Sequence, residues 1–122
     1  MQIVKSRGHF IARSFSFFWY KRIYVGTEFK KLPRDEKAAV LAHEEGHCEN
    51  HHTEKRMLAL LFPFQLMKMC HQQELEADTH AGRLGHATAL IEVIRRGGDA
   101  GSYYPPIDVR VKNLKQYSLD PR

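Results

Sequence analysis

A chain of 122 residues, 43% hydrophobic and 27% charged, has the composition of one ordinary globular domain, too short for two and too apolar for global disorder. Its net charge of +5 and pI near 9.4 are compatible with nucleic acid, an anionic membrane face or acidic substrates, and equally with a surface that is merely soluble. The two cysteines, Cys48 and Cys70, form no CxxC and are too few for the disulfide framework of a small secreted domain, so reduced thiols in a cytoplasmic protein are expected.

In chain order, Ile3-Val4 reads as a short strand. His9 to Tyr20 is rich in Phe, Ile, Trp and Tyr, which favour strands, and Arg22 to Val25 is another short strand closed by Gly26. Thr27 to Leu32 reads as one helical turn with Thr27 as its cap. Pro33-Arg34-Asp35-Glu36 is a helix start: proline in the first turn, then acids near the positive end of the helix dipole. The helix is expected to reach Asn50 or His51. Thr53 to Met69 is helical by propensity, with a break at Pro63. Cys70 to Leu84 is the next helix, ended by Gly85. His86 to Arg96 follows, with Leu90, Ile91 and Ile94 as its core face and Gly97-Gly98 as its stop. Tyr103-Tyr104-Pro105-Pro106 is extended or a turn, and Ile107 to Gln116 is a last short helix carrying Val111 and Leu114. The expected fold is α+β in a single domain over residues 1–122: a small N-terminal antiparallel or mixed sheet, then a helical bundle.

No segment reads as a secretory signal. Phe10 to Tyr20 follows Lys5 and Arg7, but Arg13, Ser14 and Ser16 interrupt it. The apolar run Met57 to Met67 cannot span a bilayer, which takes about 20 residues. A buried helix is expected there, with interfacial membrane contact as the alternative. Lys21, Arg22, Lys30, Lys31 and Arg34 lie close together in sequence and could form a basic patch for nucleic acid.

Eight histidines is a high count for this length, and five residues organise the search for metal ligands: His43-Glu44-Glu45-Gly46-His47. Residues four apart share a helix face, so His43 and His47 can direct two imidazoles at one ion. Glu44 can reach a water on that ion without binding the ion itself. The motif falls in a segment that independently reads as helix. A catalytic zinc takes three protein ligands and keeps one position open. His51 continues the spacing but lies about 12 Å along the axis from His43, so His51 and His52 are expected to support the site from outside or to face solvent. The longer pattern H-E-x-x-H-x-x-G-x-x-H is excluded by Asn50 and Thr53. Glu74, on a later helix that can return beside the first, is the better third ligand. Asp78, one turn on, can accept from the free ring N–H of a ligating histidine. Ala77 and Ala81 are small enough for two helices to pack closely.

Ala39-Val-Leu-Ala-His-Glu-Glu-Gly-His47, followed by Glu74-Leu-Glu-Ala-Asp78 and Ala81, resembles the M48 group of gluzincin metallopeptidases. Arg22-Ile-Tyr-Val-Gly26 and Phe29 to Leu32 resemble the strand and turn before that family's active-site helix. Tyr104-Pro-Pro-Ile-Asp-Val-Arg-Val-Lys-Asn-Leu114 resembles its closing His-Pro-Pro…Arg…Leu segment. The resemblance covers about Arg22 to Leu114. It implies one zinc ion held by His43, His47 and Glu74, Glu44 as general base, and hydrolysis of peptide bonds in peptides or unfolded proteins. Two departures stand out. Family members usually carry transmembrane helices and this chain has none, so it is similar to the small soluble minigluzincins. The histidine expected before the Pro-Pro pair is Tyr104.

In that chemistry Glu44 takes a proton from the attacking water and passes it to the leaving amine. Tyr104 and Arg110 are candidates to stabilise the oxyanion, Arg110 alternatively pairing with a buried carboxylate. The aromatic segment Phe15 to Tyr20 is a candidate sheet edge for an extended substrate, with core packing the commoner role for such side chains. A di-iron reading of Glu44-x-x-His47 and Glu49-x-x-His52 fails because both pairs are expected on one helix. Two rivals remain: a DNA-associated protease with His71 or His80 as third ligand, and a non-catalytic or latent zinc module acting through binding.

Overall fold

A computed structural model describes residues 2–62, 65–97 and 103–118. The chain opens with three strands, β1 (Gln2–Lys5), β2 (Ala12–Phe17) and β3 (Tyr20–Val25). They form a mixed sheet in the order β1-β3-β2. β1 pairs with β3 in parallel and β2 pairs with β3 antiparallel, with Ser14 opposite Ile23 and Phe15 opposite Arg22. The aromatic run expected as strand from His9 to Tyr20 is therefore divided. It folds into a hairpin whose turn is Phe18-Trp19, with Phe18 in the left-handed region at φ 54°.

Alternation along β2 sends Ser14 and Ser16 towards the helices and Phe15 and Phe17 outwards. Core packing of these rings, the role expected for most of them, does not occur: Phe15, Phe17, Phe18, Trp19 and Tyr20 are all exposed. The core face of the sheet is small, and serines on it meet polar partners. Ser16 donates to Glu54 from its hydroxyl, and its backbone N–H donates to Thr53.

Six helices follow among the described residues: α1 (Thr27–Lys30), α2 (Arg34–Glu49), α3 (His52–Ala59), α4 (Leu66–Arg83), α5 (Ala87–Arg95) and α6 (Ile107–Lys115). The fold is α+β, as the sequence predicts. Gly26, not Thr27, caps α1; the Thr27 hydroxyl instead contacts the Gly8 carbonyl and His9. The segment expected as one broken helix from Thr53 to Met69 is two helices. α3 stops at Ala59, and Leu66 to Met69 belong to α4, so the buried helix expected over Met57 to Met67 does not form: Met57, Leu58, Leu60, Leu61, Phe62 and Met67 are exposed. Pro63, the expected breaker, lies outside the described residues, as does Gly98. Gly85 ends the turn after α4 with φ 89°, a conformation open to glycine at no steric cost.

α2 packs most extensively against α4, and the contact is built from small residues. Ala39, Ala77 and Ala81 are fully buried. At Gly46 a Cβ would stand 2.9 Å from the His80 Cβ and 3.0 Å from the Ala77 Cα, so the glycine sets the approach of the two helices. Leu90, Ile91, Ile94, Val111 and Leu114 complete the core from α5 and α6. Burial of side chains of this size contributes about 1.5–3 kcal/mol each. No helix among the described residues is long and apolar enough to cross a membrane.

Candidate metal centre

His43 and His47 lie one turn apart on the face of α2 that meets α4, and Glu74 projects from α4 opposite them. All three are buried. The Nε2 atoms of the two histidines are 3.2 Å apart. Glu74 places Oε1 3.3 Å from His43 Nε2 and Oε2 2.9 Å from His47 Nε2. Among the described residues this is the one cluster of histidine, cysteine and carboxylate groups able to hold a metal ion.

Ligand atoms about 2.0–2.1 Å from a tetrahedral zinc ion stand about 3.3 Å from each other. The 3.2 Å between the two imidazole nitrogens and the 3.3 Å from His43 to Glu74 Oε1 match that spacing, whereas the 2.9 Å contact to His47 is made by the other carboxylate oxygen. The surrounding hydrogen bonds decide what the two imidazoles present. Glu76 Oε2 lies 2.7 Å from His52 Nε2, so that nitrogen is the donor and His52 Nδ1 is an acceptor. His52 Nδ1 is 2.8 Å from His47 Nδ1, which must therefore donate. His47 Nε2 is left with a lone pair. His43 Nδ1 donates to Asp78 Oδ1 at 2.7 Å, and its Nε2 also carries a lone pair. Two lone pairs and a carboxylate thus converge on one point; Arg56 Nη2, 3.4 Å from Glu74 Oε2, offsets part of the carboxylate charge from the rim, and a cation held between the three donors would relieve the rest. The residues fit a zinc ion.

Without a metal, a proton supplies part of that charge. Burial opposes a charge on His43, but its bonds to Asp78 and Glu74 outweigh this and hold its pKa well above the ordinary 6.5. Burial likewise opposes ionisation of Glu74, yet the adjacent imidazoles, with the protonated His43 donating to it, hold its carboxyl below the usual carboxylate range. Asp78 is also held low against its burial, by Arg110 and His43.

Glu44 borders the same cleft, about 220 Å³ in volume, which β2 flanks through Ala12 to Ser14 and Tyr104 closes from the other side. Burial pushes the Glu44 carboxyl up, towards the range useful for taking and giving a proton. Arg110 does not line the cleft. It is fully buried, with Nε 2.8 Å from Asp78 Oδ2 and Nη2 2.9 Å from Asp78 Oδ1. Its guanidinium also lies 5.8 Å from the Tyr104 ring centroid.

The histidines beyond the motif separate by role. His51 is exposed and paired with Glu54, while His52 is buried against His47. His52 opens α3, so it does not share a helix with Glu49, contrary to the arrangement expected when the di-iron reading was set aside; Glu49 pairs with Lys21 instead. His80 contacts Glu45, and neither it nor His71 joins the cluster. Of the two roles expected for His51 and His52, His52 takes the supporting one and His51 the solvent-facing one; Glu76, which holds His52, is the part of the site that sequence spacing misses. The signal for this pairing is His51, which adopts φ 56° and turns the chain so that His52 folds back beneath His47. Histidine is among the residues enriched in that conformation.

The family model of peptidase family M48 matches residues 15–69, from β2 through the His43–His47 segment and past α3. Over those residues, rather less than half of the chain, the sequence is similar to that family. No curated protein and no solved structure matched it. The segment carrying Glu74, Asp78 and Arg110 lies beyond the matched residues. It joins the site through the contacts described above.

Proposed function

We propose that this M48-like chain is a zinc-dependent endopeptidase, with His43, His47 and Glu74 as the metal ligands. The observation that carries the reading is the convergence of those three donors beside Glu44 in an open cleft. A zinc ion held there supplies Lewis acidity, making water nucleophilic near neutral pH and polarising the scissile carbonyl. Glu44 accepts the proton of the attacking water at its carboxylate and delivers it to the leaving amine. Its raised pKa suits both transfers.

β2 is an edge strand whose residues Ala12 to Ser14 border the cleft, while the Ser16 N–H further along is already held by Thr53. An extended peptide can add to that edge through main-chain hydrogen bonds, which favours unfolded substrate. The Tyr104 phenol is the donor for the developing oxyanion. Arg110 is a positioning residue, holding Asp78 against His43 from one side and lying against the Tyr104 ring on the other.

Incubation of the zinc-loaded protein with an unstructured protein such as reduced casein tests the reading. Cleavage that a chelator abolishes and added zinc restores is expected. A zinc-loaded wild type that cleaves nothing would instead make the chain a zinc-dependent binding module.

A further inference from the structure

The outward face of the sheet is unlike the rest of the surface. Residues 1–27 contain five lysines and arginines and no Asp or Glu, whereas the other fourteen cations are matched by fourteen acids elsewhere. The whole net charge of +5 therefore belongs to the sheet and its loops. The expected basic patch from Lys21 to Arg34 does not gather as such, because Lys21 is drawn to Glu49 and Lys31 to Glu28.

Register shows what the outer face presents. Arg13 stands opposite Tyr24, Phe15 opposite Arg22, and Phe17 opposite Tyr20, so rings and guanidiniums alternate across the two strands. Phe15, Phe17, Tyr20, Tyr24 and the hairpin residue Trp19 line an open hollow of about 640 Å³. Trp19 is 90% exposed. The Arg22 guanidinium lies 4.1 Å over the Tyr20 ring, extending the planar surface. Glu49 and Glu54 contact Lys21 and Ser16 on the helix side of the sheet, and Glu28, which lines a separate hollow with Arg13, pairs with Lys31.

We propose that this face binds single-stranded nucleic acid, with bases stacked on the exposed rings and phosphates on Arg13 and Arg22. Flat rings on a rigid sheet with interleaved cations are what sequence-tolerant single-strand binding requires. Two other occupants fit less well. A second copy of the chain would bring two like-charged faces together. A bilayer would have to take up Arg22, which sits in the middle of the ring patch, between Tyr20 and Tyr24 on its own strand and beside Phe15. A guanidinium there is costly among acyl chains and favourable beside phosphate.

Fluorescence anisotropy with a labelled oligothymidylate tests the proposal. Binding is expected to weaken with salt, with a slope of log K against log salt of about −1.4 for the two phosphates neutralised by Arg13 and Arg22. Trp19→Ala and Arg22→Ala should each weaken binding on the order of 5- to 100-fold, with unchanged zinc content and melting temperature as the check on folding. Because Trp19 is the one tryptophan, quenching of its emission by the oligonucleotide reports stacking directly. Oligonucleotide binding that both variants retain would overturn the proposal, and so would binding only to phosphatidylserine vesicles. No peptide substrate is present in this assay, so its failure leaves the peptidase reading intact, and the converse holds.

Discussion

On the side away from Glu74, His47 meets a second imidazole: its Nδ1 lies 2.8 Å from Nδ1 of His52, which Glu76 in turn holds by Nε2. The chain of bonds allows one proton arrangement, and that arrangement leaves His47 Nε2 free to ligate. Outer partners of ligating histidines of this kind are worth about 10- to 100-fold in metal affinity. His52→Ala is expected to weaken zinc binding by that factor, measured by competition with a chromophoric chelator. Glu76→Gln should have a smaller effect, since its carbonyl oxygen can still accept from His52.

Asp78 supports His43 and also accepts two charge-assisted bonds from Arg110, with neither side chain exposed. Removing one member of a buried ion pair costs about 3–5 kcal/mol. Asp78→Ala should destabilise the metal-free protein by that amount in urea unfolding. Asp78→Ala combined with Arg110→Met should recover much of it, because the desolvated cation is removed as well.

Histidine ionisation gives the metal-free protein a stability optimum. The pKa of His43 is raised on folding, so its contribution is fully present below 6.5 and is lost as pH rises through the folded value. Burial lowers that of His52 to about 4, so its contribution is lost as pH falls from 6.5 towards 4. Thermal melts of the metal-free protein should peak near pH 6–7. Zinc must displace the proton on His43, so its affinity should rise with pH across the same range, and calorimetry in buffers of differing ionisation enthalpy should register proton release.

Gly46 is where the spacing of the two site helices is set. Gly46→Ala would place a methyl group 3.0 Å from the Ala77 Cα, a backbone atom that yields only if α4 moves. Overpacking of this kind costs about 1–3 kcal/mol. Because Glu74 rides on α4, zinc affinity should fall together with the melting temperature.

The candidate ligands were legible in the sequence because their chemistry follows helical periodicity. His43 and His47 share a face by spacing alone, and Glu74 and Asp78 repeat the same interval on α4. What escaped was set by tertiary contact. The aromatics of β2 read as core because Phe and Trp usually pack inside. Yet alternation gives the inner positions to Ser14 and Ser16, which meet Glu44 and α3, and leaves the rings outside. The sequence left His51 and His52 between supporting the site from outside and facing solvent, because the turn that separates them depends on one left-handed residue, His51, with no glycine to announce it. Arg110 carried two equally weighted roles until its distance to Asp78 was known.

Zinc content and hydrolysis, measured together for the wild type, Glu44→Gln and Glu74→Ala, test the central claim most directly. One zinc per chain and cleavage of an unstructured protein are expected for the wild type. Glu44→Gln should keep the metal and lose cleavage by at least about 100-fold, whereas Glu74→Ala should lose the metal itself. Glu74→Ala retaining full zinc at wild-type affinity, or Glu44→Gln cleaving at the wild-type rate, would contradict the account.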